Sequence, residues 1–318
     1  MMRISVWHRD LSEGYLRQIT QLGADAVDFG QGTAFPGVKE TGVPDLDGVL
    51  AIKRQLQSWG LSINRVTLPD ISRAFMAGET DDETGIENAC QALAVFGEAG
   101  IPIARQRFGG DIMPGQTQPY RSIHRGGYHS RGEYAYRTRY EPPSQERLDA
   151  WWDRFRTVYG ALVPAAEEAG VNLALHPSDT PYGGTPFDSL GFHRVIDLLP
   201  SRIVGYLYCV GTRAEAGGSA LVLDEINNYG RKGRLFTVHF RNVRGSLPTA
   251  GGFEEVLLDD GDMNMFTLLR ALDRVGFDGC LNPDHIPALE GDHDTTSLGL
   301  AYSVGYLKAL LAALSVVR

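Results

Sequence analysis

Eight short runs rich in β-branched and aromatic residues alternate with longer stretches whose apolar positions recur at helical spacing. The runs are RISVW (3–7), AVDFG (26–30), SINRV (62–66), PIARQRF (102–108), VNLALH (171–176), VGYLYC (204–209), LFTVH (235–239) and CLNPD (280–284). Residues 11–23 put Tyr15, Ile19 and Leu22 on one helical face, and 46–60 do the same with Val49, Ile52 and Leu56. Both stretches, and 83–100, end on a glycine suited to a left-handed helix cap. Residues 145–170 predict a longer helix that Pro164 should break or kink. Further helices are predicted over 187–199, 223–233, 263–276 and 298–314. Eight strands with eight helices predict an α/β protein, a single (β/α)8 TIM-barrel domain over 1–318. An open doubly wound sheet is the rival, but no G-x-G-x-x-G follows the first strand.

Four of the runs end on a residue that can bind a metal: His176, Cys209, His239 and Asp284. Taken singly, each has a plain reading as a core polar residue, a small buried hydrophobe or a cap. Together they stand at the same end of four consecutive strands, and in a parallel barrel such ends open on one mouth. Two imidazoles, a thiolate and a carboxylate make a sound divalent-cation site, with a thiolate softness that suits zinc or iron. Arg241 and Asn242, just past His239, and His8, just past the first strand, are candidate substrate contacts because strand-end residues line barrel sites. Asp260 and Asp262 lack the spacing of a calcium loop and predict a cap for the helix after them.

The alternation breaks at residues 109–142, too long for a usual βα loop. This insertion after the fourth strand carries Arg121, Arg125, Arg131, Arg137 and Arg139 among glycines and tyrosines. It predicts an active-site lid whose arginines bring positive charge to an anionic substrate.

Composition narrows the class. Hydrophobic content of 43% and charged content of 22% over 318 residues fit a globular enzyme with a large core. A net charge of −9 argues against nucleic-acid or membrane partners. No run reaches the ~18 consecutive apolar residues of a membrane span, and the N-terminus lacks the apolar region of a signal peptide. Three scattered cysteines, Cys90, Cys209 and Cys280, make no disulfide framework, so a cytoplasmic location is expected.

The residues around the four ligands resemble a known family. ALHPSDTP (174–181), YCVGT (208–212), VHFRNVRG (238–245), DDGDMNM (259–265) and PDH (283–285), in this order, are similar to the mannonate dehydratases. The resemblance covers about residues 145–310 and thins to WH (7–8) and the barrel pattern in the first hundred residues. It implies a xylose-isomerase-like TIM barrel that dehydrates D-mannonate to 2-keto-3-deoxy-D-gluconate with Mn2+, or with Fe2+ or Co2+. It implies His176, Cys209, His239 and Asp284 as metal ligands, and His285 as a participant in acid–base chemistry. Tyr302 is the nearest match to a family tyrosine, about one residue out of register. Ser178 stands where the family has an acidic residue. The expected partner is a small sugar acid, and the assembly a homo-oligomer such as a dimer.

That chemistry suits the residue types. Abstracting a proton beside a carboxylate builds charge that a chelating cation stabilises, and histidine and tyrosine are suitable proton carriers. Asp284 and His285 can share the mouth only if the strand has ended or twisted, since neighbours in a strand face opposite sides. Two rivals are a metal-dependent sugar isomerase or epimerase, which would use more carboxylates, and a non-catalytic sugar-acid-binding barrel.

Overall fold

The computed structural model describes residues 1–108, 117–135, 143–177, 185–188, 191–292 and 297–317. In chain order its strands are β1 Arg3–Trp7, β2 Ala26–Asp28, β3 Ser62–Thr67, β4 Ile103–Arg105, β5 Thr117–His124, β6 Tyr128–Ala135, β7 Asn172–Leu175, β8 Val204–Cys209, β9 Leu235–His239, β10 Asn242–Ser246, β11 Gly252–Val256 and β12 Cys280–Asn282. Eight of them close a parallel barrel in the order β1-β12-β9-β8-β7-β4-β3-β2, and these are the eight runs read from the sequence. Parallel strands are covered on both faces, so they read as near-continuous apolar runs and are easy to see in a chain. The fold is the expected (β/α)8 barrel.

The main core fills the space between strands and helices. The helix Gln145–Ala169 buries Trp151, Phe155, Tyr159 and Leu162 there. This helix continues through Pro164 without the expected break. Pro164 and Gly160, the residue four back whose carbonyl loses its partner, are both on the exposed side, so water can serve that carbonyl.

Inside the barrel the packing is divided. Ile103, Ala174 and Leu207 form a small apolar cluster. Opposite lies a polar layer centred on the buried Asp28 carboxylate. It accepts from Asn64 Nδ2 at 2.7 Å, Asn282 Nδ2 at 2.7 Å and Ser5 Oγ at 3.2 Å, with Arg65 Nε 3.9 Å away.

The insertion after β4 is more ordered than a coil lid. Its described part is the hairpin β5–β6, which joins β10 and β11 in an antiparallel sheet of order β10-β11-β6-β5. The sequence reading missed this second sheet.

The last helix, Ser297–Val317, holds no unbroken run of 18 apolar residues, being interrupted by Lys308. It is long and apolar enough to cross a bilayer by length and composition. Here it is the eighth helix of the barrel, burying Leu300, Val304, Leu307 and Leu314 and packing beside the helices Glu13–Leu22 and Met265–Arg274.

Removing the Asp28 carboxylate would strand the Asn64 and Asn282 amides and the buried Arg65 together. Asp28→Ala should cost about 3–5 kcal/mol, the usual loss when one side of a buried charged cluster is deleted. A urea unfolding midpoint equal to that of the parent protein would exclude a structural role for this layer.

Candidate metal centre and active site

Barrel register brings the site together. Cys209 on β8 pairs with His239 on β9, and His239 pairs with Asn282 on β12. His176 follows β7 directly, and Asp284 lies two residues past the end of β12. The donor atoms of His176, Cys209, His239 and Asp284 all lie within 4.8 Å of one another, and all four residues are buried. Ligand bonds of about 2.0–2.3 Å put two donors on one ion at most about 4.6 Å apart, so the cluster has the size of a single-cation site.

Each ligand's surroundings suit that use. His176 Nδ1 is 2.5 Å from the Pro177 carbonyl oxygen, a contact that favours the tautomer with its lone pair on Nε2. Burial, then the Arg105 charge, holds this imidazole well below its ordinary pKa, so it is neutral. His239 is buried, yet neither ring nitrogen finds an aligned hydrogen-bond partner among the described residues. Its Nδ1 is 3.1 Å from Asp284 Oδ2, close but misaligned for a hydrogen bond. A buried imidazole in this state fits a metal ligand.

Cys209 is the N-cap of the helix Val210–Arg231, its sulfur accepting from the Thr212 amide at 3.5 Å and the Thr212 hydroxyl at 3.1 Å. Burial pushes the thiol up, while Arg241 and the two Thr212 donors favour the thiolate. Burial also pushes the Asp284 carboxyl up, but His239, His285 and Arg241 outweigh it and hold it well below the usual range. The indole of Trp7, at the end of β1, donates to Asp284 Oδ1 at 2.9 Å and packs on His239 with centroids 5.2 Å apart. Sequence reasoning missed Trp7; its place beside His8 in the WH pair was the only signal.

His285 adjoins the cluster. Its backbone has φ 47°, which turns the side chain after Asp284 back towards the same mouth. The ring is 31% exposed, with Nδ1 2.5 Å from Glu255 Oε1 and Nε2 3.6 Å from Asp284 Oδ2. Glu255 is a second residue the sequence reading missed. A charged residue on the buried, Phe253 side of β11 was the available sign.

The other candidates divide. Arg241 is buried beside the cluster, donating to Glu215 Oε1 at 2.7 Å and Thr212 Oγ1 at 2.8 Å, with Nε 3.8 Å from Asp284 Oδ2. It packs so closely on Gly211 that an added Cβ would lie 2.5 Å from its Cγ. Burial raises the Glu215 carboxyl to about 7, against the pull of Arg241. Asn242 is corrected: both amide hydrogens go to the carbonyls of Leu258 and Met263, and its oxygen accepts from the amides of Val243 and Met263. It ties loops together and has nothing left for a ligand.

His8 stacks on Phe29 at 4.4 Å, and burial lowers its pKa. It lines a recess of about 500 Å3 with Trp7, Arg9, Gln31, Lys39 and Arg107. Tyr302 lies outside the cluster, 37% exposed on the last helix and in contact with Arg125 and Asp259. Arg125 and Arg131 of the expected lid face Asp259 and Asp260, and Glu133 and Glu255, respectively. Asp260 pairs with Arg244 at 2.5 Å, and the cap of the following helix is Asn264 rather than an aspartate. Ser178, Arg137 and Arg139 lie outside the described residues.

Residues 135–318 match the family model described as D-mannonate dehydratase (UxuA). The chain belongs to the mannonate dehydratase family. Mannonate dehydratase 2 of Halalkalibacterium halodurans is 25% identical over 307 residues, covering 86% of this chain and 89% of that protein. A Streptococcus suis mannonate dehydratase is 26% identical over 314 residues, covering 84% of this chain and 83% of that one. In fold, the chain matches the crystal structure of mannonate dehydratase from Streptococcus suis serotype 2 with a TM-score of 0.79 at 23% identity, over 98% of this chain and 94% of that one. Members of this family are hydro-lyases, and the donor cluster is where a metal fits the fold.

The Trp7 indole is a neutral donor to Asp284, so its loss should be felt at the site and not in the barrel. Trp7→Phe keeps the ring packing and removes the hydrogen bond. If Asp284 holds a metal, steady-state turnover should fall about 10- to 100-fold, the usual effect of losing a partner of a metal ligand, with an unchanged thermal midpoint.

Proposed function

We propose that the protein removes water from D-mannonate to give 2-keto-3-deoxy-D-gluconate, with a divalent cation, Mn2+ in the first instance, held by His176, Cys209, His239 and Asp284. One observation carries this reading: four buried donors within 4.8 Å of one another, with His285 beside them, in a chain of the mannonate dehydratase family. A bound cation would act as a Lewis acid towards the substrate carboxylate and a neighbouring hydroxyl, stabilising developing negative charge by several kcal/mol.

The remaining work belongs to the chain's own groups. The C2–H bond breaks and its proton passes to a base. The electron pair forms the C2–C3 double bond as the C3 hydroxyl leaves, protonated, as water. The resulting enol ketonises as C3 takes a proton and the C2 hydroxyl gives one up, leaving the C2 ketone. His285 suits one of these transfers, because it is partly open to the mouth while its neighbours are buried. Arg241 braces the thiolate and carboxylate ligands from behind. The recess beside Trp7 offers His8, Arg9, Lys39 and Arg107 to the hydroxyls of the substrate's far end. Tyr302 is engaged with Arg125 and Asp259, and we assign it no step. The free cysteines support a cytoplasmic location.

Manganese-loaded protein incubated with D-mannonate should accumulate a 2-keto-3-deoxy acid, and chelation of the metal should stop it. An isomeric sugar acid as product would move the reading to isomerisation, and binding without turnover would move it to a sugar-acid-binding barrel. His176→Ala should lower bound metal to less than about a tenth of one ion per chain by elemental analysis, since a buried three-donor remnant loses most of its affinity. Full metal content in that variant would sink the ligand assignment.

A further inference from the structure

A left-handed backbone is costly for a residue with a side chain, about 1–3 kcal/mol, and persists only where surrounding contacts impose it. At His285 the imposing contact comes from outside the barrel. Its Nδ1 meets Glu255 Oε1 at 2.5 Å, and Glu255 is the fourth residue of β11 in the antiparallel sheet. Glu255 is buried, and its neighbours set its position from several directions. Val243 of β10 pairs with it in the ladder. Arg241 Nη1 lies 3.5 Å from Oε1, and Arg131 Nη1, from the inserted hairpin, lies 3.6 Å from the same atom. That hairpin also pairs directly with β11, Glu133 opposite Phe253 and Gly132 opposite Glu254. A further bridge between His129 and Ala288 ties it to the segment just after His285.

An imidazole has two distinct nitrogens, and a partner on one decides which is free to react. Nδ1 faces the carboxylate, so it carries the hydrogen. Nε2, 3.6 Å from Asp284 Oδ2, faces the ligand cluster. We propose that Glu255 is the positioning residue for His285: it fixes the ring orientation and keeps a hydrogen on Nδ1, so that Nε2 is the atom turned to the mouth to exchange a proton with substrate, and the inserted hairpin holds Glu255 in place through Arg131 and the β6–β11 ladder. This rests on the reading that His285 exchanges a proton with a sugar acid. The arginine-rich insertion is then a brace for one catalytic side chain, with Arg131 directed at a protein carboxylate.

The test separates positioning from folding. Glu255→Gln keeps the size and an acceptor oxygen but removes the charge. Expected are a kcat for D-mannonate lower by about 10- to 100-fold, a KM within about threefold, and unchanged metal content and thermal midpoint. In protein labelled with 15N in histidine, the resonance absent from His285→Asn should report the Nδ1–H tautomer in the parent chain and a mixture in Glu255→Gln. Glu255→Asp, with charge but a shorter reach, should recover part of the turnover. If Glu255→Gln does not fold, Arg131→Met carries the same kinetic and tautomer readouts, with a smaller loss expected. Parental kcat, or an unchanged His285 tautomer, in the folded variant overturns the proposal. Parent protein that never turns over D-mannonate, but whose His285 tautomer shifts in Glu255→Gln, would sink the substrate reading and leave the positioning intact.

Discussion

The Asp284 carboxylate is buried, and a buried charge must be compensated or neutralised. The chain compensates it from three directions. Trp7 of β1 donates to one oxygen, while His239 of β9, Arg241 beyond it and His285 next in sequence surround the other. Each of these residues is held by something else: Trp7 lies under the Arg65 guanidinium at 4.9 Å, Arg241 is fixed by Glu215 and Thr212, and His285 by Glu255. The site is therefore a set of mutually dependent charges anchored at one aspartate, and the barrel supplies the closure that lets β1 and β9 reach it from either side of β12.

The buried sulfur of Cys209 poses the complementary problem. Cys209 ends a strand and caps a helix at once, so its sulfur receives the first amide and hydroxyl of that helix. Helix N-termini favour negative charge, and the Arg241 guanidinium adds a full positive one nearby. The same helix gives way at Gly218, where φ is 72°, before resuming towards Arg231. The sequence pattern suggests helix only from residue 223, because the stretch after Cys209 is small and polar and is shaped by its contacts with Arg241 rather than by an apolar stripe.

That contrast explains what could be read in advance. The eight barrel strands are local properties, since a buried strand is an apolar run; Cys209 and His239 end their strands, while His176 and Asp284 lie one and two residues past theirs, near enough for the run to mark them. The second sheet was not visible. TQPYRSIH and YHSRGEYA are polar; the first pairs only with the second, and the second pairs with β11, more than a hundred residues away. Trp7 and Glu255 escaped for the same reason, since their partners Asp284 and His285 are 277 and 30 residues distant and nothing local marks the pairing. Asn242 misled because it follows a ligand strand, a position that usually lines a barrel's mouth, yet its amide is consumed by backbone groups.

Asp284 and His285, consecutive in sequence, turn to the same mouth, and a regular strand does not allow that. Asp284 and His285 would face opposite ways in an extended strand, so the chain ends β12 at Asn282 and turns through a left-handed residue. At His285 the contact on Nδ1 is the Glu255 carboxylate of β11. The hairpin after β4 and the pair β10–β11 after β9 supply it by pairing with each other above the mouth. These two departures from a minimal barrel thus meet at one local feature, the left-handed residue after Asp284 and its contact with Glu255.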